Sequence, residues 1–339
     1  MNVPGGGPEL ISTNTEHSGT NSKPVASLSL DLDNQWSYMK THGDHGWEKF
    51  PSYFDVLIPY VLDLLDELGL TITFFIVGQD AALDKNRDSL KALTERGHEV
   101  GNHSFHHEPW LHSHSSDRIE KEILETENQI KDVTGQKPLG FRGPGFSWSK
   151  DLITTLSAHG YLYDASTLPM YLGPLARMYY FWTSKLSEEE KSQRKNLYGN
   201  FKEGLMPVKP YLWDLPHGNN LLEIPVTTLP FVKIPFHLSY LLYISRYSKA
   251  VMKLYLRTAI TLCKISGVSP SFLLHPLDFI GGDQVPDLAF FPGMDLDREH
   301  KLDVFKTVIA SLDRHFRLSP MSVHARVLLQ KKRLKRRHL

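Results

Sequence analysis

His103 and His107 stand four residues apart in His103-Ser104-Phe105-His106-His107. That spacing puts both imidazoles on one helical face or one tight turn, within reach of a single metal ion. With 17 histidines in the chain, a lone His-x-x-x-His pair says little, so its setting matters. The pair follows Arg96-Gly97-His98-Glu99-Val100-Gly101-Asn102, which reads as a helix end and then a short strand. Well upstream, Asp31-Leu32-Asp33 closes another apolar strand. One carboxylate from Asp33 and two imidazoles make a three-ligand set that leaves a fourth position open, as in catalytic zinc sites. A cation held there polarises a carbonyl and lowers the pKa of water to about 7.

Four further groups lie where strands are expected to stop. Asp31 is two residues from Asp33, so in an extended strand both point to one face. One of them can ligate while the other takes a proton from water. Phe141-Arg142-Gly143-Pro144-Gly145 sets a guanidinium at a strand end before a rigid turn. Arg142 can pair with Asp31 and orient it, and the Gly145 N–H, following Pro144, can face a developing oxyanion. Ser271-Phe272-Leu273-Leu274-His275 ends an apolar run in a histidine that can protonate a leaving amine. Leu274 adjoins that end, and either Asp164 or Asp278 can orient the His275 ring; the sequence does not choose between them.

The elements that must position these groups alternate. Strands are expected at Ser27–Asp33, Thr71–Val77, His98–Asn102, Leu139–Arg142, Tyr161–Ala165, Leu222–Thr227 and Ser271–His275. Helices are expected at Ser52–Leu68, Asp88–Arg96, Asp117–Thr134, Lys150–His159, Lys249–Ile265 and His300–His315, several of them closed by glycine. About seven βα units favour a parallel barrel-like or doubly wound sheet, whose working residues sit at the carboxyl ends of the strands. Pro169–His217 breaks the rhythm, aromatic at first and then charged, and reads as an insertion or lid.

Composition bounds the rest. The 339 residues carry 38 basic and 38 acidic side chains, so no global field draws the chain to nucleic acid. Cys263 is the single cysteine, which excludes an intrachain disulfide. Residues 1–24 are polar, without the apolar core of a secretory signal, and read as a disordered lead-in. No apolar run reaches membrane-spanning length, so the expected location is cytoplasmic. Residues 321–339 read as a basic tail, with six Lys or Arg after Gln330, suited to peripheral contact with an anionic membrane. His42, His45, His106, His112 and His114 read as mostly solvent-exposed loop residues, with His42 or His45 able to touch substrate and none of them a ligand.

These motifs, in this order, resemble the polysaccharide deacetylase superfamily (the NodB-homology domain, carbohydrate esterase family four). The resemblance rests on Ser27–Asp33, Arg96–His107, Phe141–Gly145, Tyr161–Thr167 and Phe272–Asp278, and Gly97–His107 is nearly a family consensus. It implies a distorted (β/α)7 barrel over residues 25–320 with a divalent ion, Zn2+ foremost and Co2+, Ni2+ or Mn2+ as alternatives. It also implies hydrolysis of an N-acyl, foremost N-acetyl, group on a sugar. By that resemblance Asp31 is the general base, Asp33, His103 and His107 are metal ligands, Arg142 braces the base and His275 is the general acid. The acids are spelled Asp31-Leu32-Asp33-Asn34 rather than as adjacent aspartates, which leaves base and ligand roles open to exchange. Gly145 takes the place of the usual aromatic, and Asp164-Ala165-Ser166 has one acid where many relatives have two.

The expected partner is an N-acylated sugar or glycan precursor, nucleotide-linked or lipid-linked. Two other readings compete with it. A catalytically silent carbohydrate- or lipid-binding member of the fold would bind sugar without turnover. A metal-independent amidohydrolase on a small C–N substrate would contain no metal.

Overall fold

The computed structural model describes residues 23–171, 203–216, 220–331 and 333–339. In chain order the strands are β1 (Val25–Leu32), β2 (Thr73–Ile76), β3 (Glu99–Asn102), β4 (Gly140–Phe141), β5 (Tyr163–Asp164), β6 (Tyr211–Asp214), β7 (Leu221–Glu223), β8 (Ser271–Leu274), β9 (Arg317–Ser319) and β10 (Lys335–His338). The helices are α1 (Gln35–His42), α2 (Phe54–Glu67), α3 (Gly78–Ala81), α4 (Arg87–Glu95), α5 (Ser116–Thr134), α6 (Lys150–Ala158), α7 (Leu238–Tyr247), α8 (Lys249–Ser266), α9 (Arg298–Asp313) and α10 (Met321–Leu329).

Seven strands run parallel in the order β7-β5-β4-β3-β2-β1-β8. The ring is closed by the extended segment after β7. Ile224 and Val226 donate their N–H groups to Asp164 and Thr167 on one side, each at 2.9 Å, while Thr227 N–H reaches Ser271 O at 3.1 Å on the other. The result is a distorted (β/α) barrel. Every residue of β1 is buried, as a strand flanked on both sides and covered by helices requires. The main core lies between the strands and the outer helices: Leu28, Leu30 and Leu32 of β1 meet Leu57, Ile58, Val61 and Leu65 of α2, with Val304, Val308 and Leu312 of α9.

Two readings of the sequence need correction. The segment read as an insertion or lid, 169–217, contributes β6, which pairs antiparallel with β7 and buries Tyr211 and Trp213; residues 172–202 and 217 lie outside the described residues. A run of four residues between prolines carries too short an alternation to announce a strand. Of the expected lead-in, residues 1–22 also lie outside the described residues. The basic tail, 321–339, is in large part built into the fold. Met321, His324, Ala325 and Leu328 share the buried face of α10, and β10 pairs with β6, its exposed Arg336 and His338 beside Asp214. Apolar residues at helical spacing pin α10, and backbone pairing holds β10 whatever its side-chain charge. Among the described residues no helix is long and apolar enough to cross a membrane.

α10 plugs the end of the barrel where the strands begin. The N–H groups of Met321 and Ser322 reach Thr73 Oγ1 and Glu99 Oε2 at 2.8 and 2.9 Å. His324, 1% exposed, places Nδ1 3.0 Å from Ser27 Oγ, and burial pushes its imidazole down to about 3. The unfolded chain therefore binds a proton near 6.5 that the folded chain refuses until about 3. Stability from this group is full above about pH 6.5 and declines as pH falls across that window, approaching about 1.4 kcal/mol per pH unit. Denaturant midpoints between pH 7.5 and 4.5 should fall, and His324→Gln should flatten that slope; an unchanged slope would contradict neutral burial of this ring.

Candidate active site

The two acids at the end of β1 have different partners. Asp33 N–H bonds back to Asp31 O at 2.9 Å, a tight bend centred on Leu32 that takes Asp33 out of the strand line. The expected shared strand face therefore gives way to a division. Asp31, 4% exposed, lies 2.5 Å from Arg142 Nη1. Asp33 instead faces both imidazoles, its Oδ1 3.4 Å from His103 Nε2 and 2.9 Å from His107 Nε2.

The histidine pair sits on a tight turn, one of the two geometries that the spacing allows. Ser104 and His107 adopt left-handed backbone angles, with φ of 60° and 50°, at some cost for non-glycine residues. The turn is held from outside. Buried Glu122 of α5 accepts the N–H groups of Phe105 and His106 at 2.9 and 3.0 Å and touches His106 Nδ1 at 2.5 Å. Gly78 and Gln79 of α3 donate to the carbonyls of Ser104 and Phe105. His103 Nδ1 lies 2.6 Å from Arg142 O. Because that contact requires an N–H, it leaves the lone pair of Nε2 facing Asp33, the arrangement by which metal-binding imidazoles are oriented.

Asp33, His103 and His107 are all buried, and one ligand atom from each lies within 4.8 Å of the others; no other such group occurs among the described residues. Asp33 Oδ1 makes no hydrogen bond despite the imidazole nitrogen at 2.9 Å, and His107 Nδ1 has no partner either. Three buried ligand atoms gathered this closely suit a shared cation, and one carboxylate with two imidazoles suits zinc. Burial raises the Asp33 pKa, but the two imidazoles more than offset it and hold the carboxyl well below its usual range. Burial lowers the His103 pKa, and the Asp33 and Asp31 carboxylates offset it, with a net rise.

Arg142 lies at the centre of the barrel with no solvent exposure. Nη1 donates to Asp31 and to Ser29 Oγ at 2.9 Å, Nε to Ala165 O at 3.1 Å, and Nη2 contacts Met321 Sδ at 3.5 Å. The guanidinium carbon also stands 4.4 Å from the centroid of the Phe75 ring. The turn that follows allows little choice of residue. A Cβ on Gly143 would meet Ser147 O at 2.0 Å, and Gly145 has φ of 58°. Gly143 N–H reaches Ser166 Oγ at 2.8 Å, Pro144 is buried, and Gly145 is half-buried.

On the opposite strand end, half-buried His275 has Nδ1 3.1 Å from Ser239 Oγ on α7, and its backbone N–H donates to Asp278 Oδ2 at 2.8 Å. Ser239 also bonds the Asp278 carboxyl, which burial pushes up and His275 partly restores. Of the two acids left open by the sequence, Asp278 is the one beside His275. Asp164 is fully buried elsewhere, bonded by Ser166 Oγ at 2.6 Å and neighboured by Glu223 of β7, an acid the sequence did not single out. Burial and that mutual contact raise the Glu223 pKa, while Thr167 and Trp213 donate to its oxygens. Leu274 is wholly buried in the main core, so its side chain packs there and faces no ligand.

The loop histidines expected to be exposed are mostly engaged. His42 is 8% exposed, lies 2.6 Å from Asp44 and stacks on Phe290. His112 contacts Ser147, and His114 contacts Glu108. Sequence reading also passed over Tyr53, whose hydroxyl donates to Asp33 O, and Asp80, whose Oδ1 accepts from Asn34, Trp36 and Asn86. Asn34 gave a signal in principle, as a side-chain acceptor directly before a helix, where it caps Gln35 N–H at 2.9 Å.

The polysaccharide deacetylase family model matches residues 44–163. A peptidoglycan deacetylase of Helicobacter pylori is 30% identical over 203 residues, which cover 57% of this chain and 67% of that protein. The peptidoglycan-N-acetylmuramic acid deacetylase PdaA of Bacillus subtilis is 33% identical over 104 residues, 30% of this chain and 38% of that one. The chain thus spans well under half the length of the second relative. A solved structure of a Mycobacterium smegmatis protein assigned to the polysaccharide deacetylases aligns with a TM-score of 0.54 at 18% identity, covering 93% of this chain and 96% of the other, a likeness of fold.

Removing one member of a buried ion pair strands the other charge. Arg142→Met should therefore lower the unfolding free energy by about 3–5 kcal/mol. Adding Asp31→Asn to it should cost little more, because the stranded carboxylate is gone. Urea unfolding of the two single variants and the double variant checks this, and strictly additive losses would contradict a coupled pair.

Proposed function

The chain belongs to the polysaccharide deacetylase family, and from that premise we propose that it hydrolyses an N-acyl group, foremost N-acetyl, from a sugar or glycan precursor. The observation that carries this reading is the division between neighbouring acids. One carboxylate is committed to two imidazoles at the mouth of the barrel, and the next is committed to a guanidinium behind it. Metal-assisted hydrolysis uses both, one group to hold a cation and one to accept a proton.

Asp33, His103 and His107 are the residues that would hold the ion, Zn2+ foremost. A divalent ion bound there supplies Lewis acidity, polarising the acyl carbonyl and acidifying water. Asp31 takes the proton of the attacking water, its Oδ1 oriented by Arg142 Nη1. The new C–O bond forms as the carbonyl pair moves to oxygen. His275 then delivers a proton to the amide nitrogen as the C–N bond breaks, leaving a free amine on the sugar and a carboxylic acid. Ser239 contacts Nδ1 of this imidazole, and Asp278 holds the His275 backbone N–H and Ser239 in place. The Gly145 N–H, in the turn behind Arg142, is available to the acyl oxygen.

Both curated relatives are named as peptidoglycan deacetylases, which supports an N-acetylated amino sugar as the substrate class. A lipid-linked or nucleotide-linked precursor is the narrower form of this proposal.

Acetate release from N-acetylated oligosaccharides and sugar precursors, with zinc content measured in parallel, tests the reading. Asp31→Asn should lower kcat by about 10²–10⁴-fold while zinc stays bound. Asp33→Asn should lose zinc and activity together. Zinc lost from Asp31→Asn but kept by Asp33→Asn would reverse the roles, and full activity in both variants would overturn the site.

A further inference from the structure

His103 can offer the lone pair of Nε2 only while its other ring nitrogen keeps a proton, and the groups that hold that proton run into the core. Nδ1 lies 2.6 Å from Arg142 O. The N–H of the same peptide unit, on Gly143, donates to Ser166 Oγ at 2.8 Å. Ser166 Oγ in turn lies 2.6 Å from Asp164 Oδ1. One peptide plane thus carries both bonds, its carbonyl toward the ligand imidazole and its N–H toward the serine.

What each group can do sets the direction of this chain. A peptide carbonyl only accepts, so His103 Nδ1 must donate. A peptide N–H only donates, so Ser166 Oγ must accept from Gly143, and its own hydrogen goes to Asp164. Every donor therefore points the same way, from the imidazole to the carboxyl. The whole run is shut off from water: His103 is 2% exposed, Gly143 is buried, and Arg142, Ser166 and Asp164 have no exposure.

Strand register brings these groups together. Asn102 pairs with Phe141, and Phe141 with Asp164, across the parallel ladder. The residues that follow, His103, Arg142 and Ala165, leave neighbouring strand ends side by side, and Ala165 O accepts Arg142 Nε at 3.1 Å. One step further on, Ser166 stands beside Gly143.

We propose that Ser166 is a positioning residue for the metal centre. Anchored on Asp164, it holds the Arg142–Gly143 peptide plane so that His103 keeps its proton on Nδ1 and its Nε2 facing Asp33. The proposal rests on the reading of Asp33, His103 and His107 as ligands. Hydrogen bonds linked in one sense in a dry interior polarise one another, so loss of the hydroxyl is felt at the imidazole. Outer partners that orient metal-binding imidazoles are worth about 10–100-fold in metal affinity.

Ser166→Ala removes the hydroxyl and leaves the Gly143 N–H without its acceptor. In metal-free protein with isotope-labelled histidine, magnetic resonance at alkaline pH should show wild-type His103 protonated on Nδ1, with a low-field ring proton. In Ser166→Ala that proton should move upfield, and zinc affinity, read by competition with a chelating dye, should fall about tenfold. Ser166→Thr keeps the hydroxyl and should hold both near wild type. Unchanged zinc affinity in Ser166→Ala, or a ring proton that does not move, would overturn the proposal. Equal losses in Ser166→Thr would do the same, making Ser166 a packing residue. So would a neutral wild-type His103 protonated on Nε2, a result that needs no variant to fold. If wild type binds no zinc, the metal reading falls, and the ring proton still decides whether the chain of bonds exists.

Discussion

A guanidinium with no access to water occupies the centre of this barrel, and much of the site follows from satisfying it. A charge in that position is tolerable only when paired and hydrogen-bonded on every side. Arg142 meets the requirement through Asp31 and Ser29 from β1, Ala165 O beyond β5, the Phe75 face from β2 and Met321 from α10. Four other parts of the chain are thus fixed to its own strand end by one side chain. Its own carbonyl then fixes His103 through Nδ1. The residue that braces Asp31 also sets the face that one ligand imidazole presents, so the two halves of the chemistry share a single anchor.

A second layer holds the mouth. Glu122 ties down the strained turn that carries His103 and His107, and the bend at Leu32 separates Asp33 from Asp31. Behind Asp33, Asn34 spends its side chain on the N–H groups of Gln35 and Tyr53 and on Asp80. Asp80 is buried, and burial pushes its carboxyl up to about 7 even with the Asn34 and Trp36 bonds opposing. Such polar networks give the site its rigidity, and each depends on full satisfaction of buried groups. Asp80 Oδ2 and Ser104 Oγ are buried without a partner among the described residues.

The barrel was legible in the chain because seven apolar runs alternate with helical periodicity, a pattern with few topological solutions. The site residues were legible because each falls where a strand stops. Arg142 and Asp31, 111 residues apart, could be matched because both charges stand at the ends of apolar strands, where each needs an opposite partner. What escaped lay in irregular or very short segments. α1 has a weak apolar pattern, and β6 has four residues. β10 is a run of basic residue types with no apolar alternation to announce a strand. The partners Glu223, Ser239 and Asp80 escaped for a different reason: they are common residue types whose meaning comes from long-range neighbours. Likewise, the choice between Asp164 and Asp278 depends on which strand end the His275 ring faces, and neither spacing nor composition encodes that.

The most direct test is a crystal of the protein grown with zinc, with anomalous diffraction data collected on either side of the zinc edge. The account predicts one strong peak bounded by Asp33, His103 Nε2 and His107 Nε2 at about 2.0–2.2 Å, with Asp31 remaining on Arg142. A peak ligated by Asp31 in place of Asp33, or no ordered zinc between the two imidazoles, would contradict it.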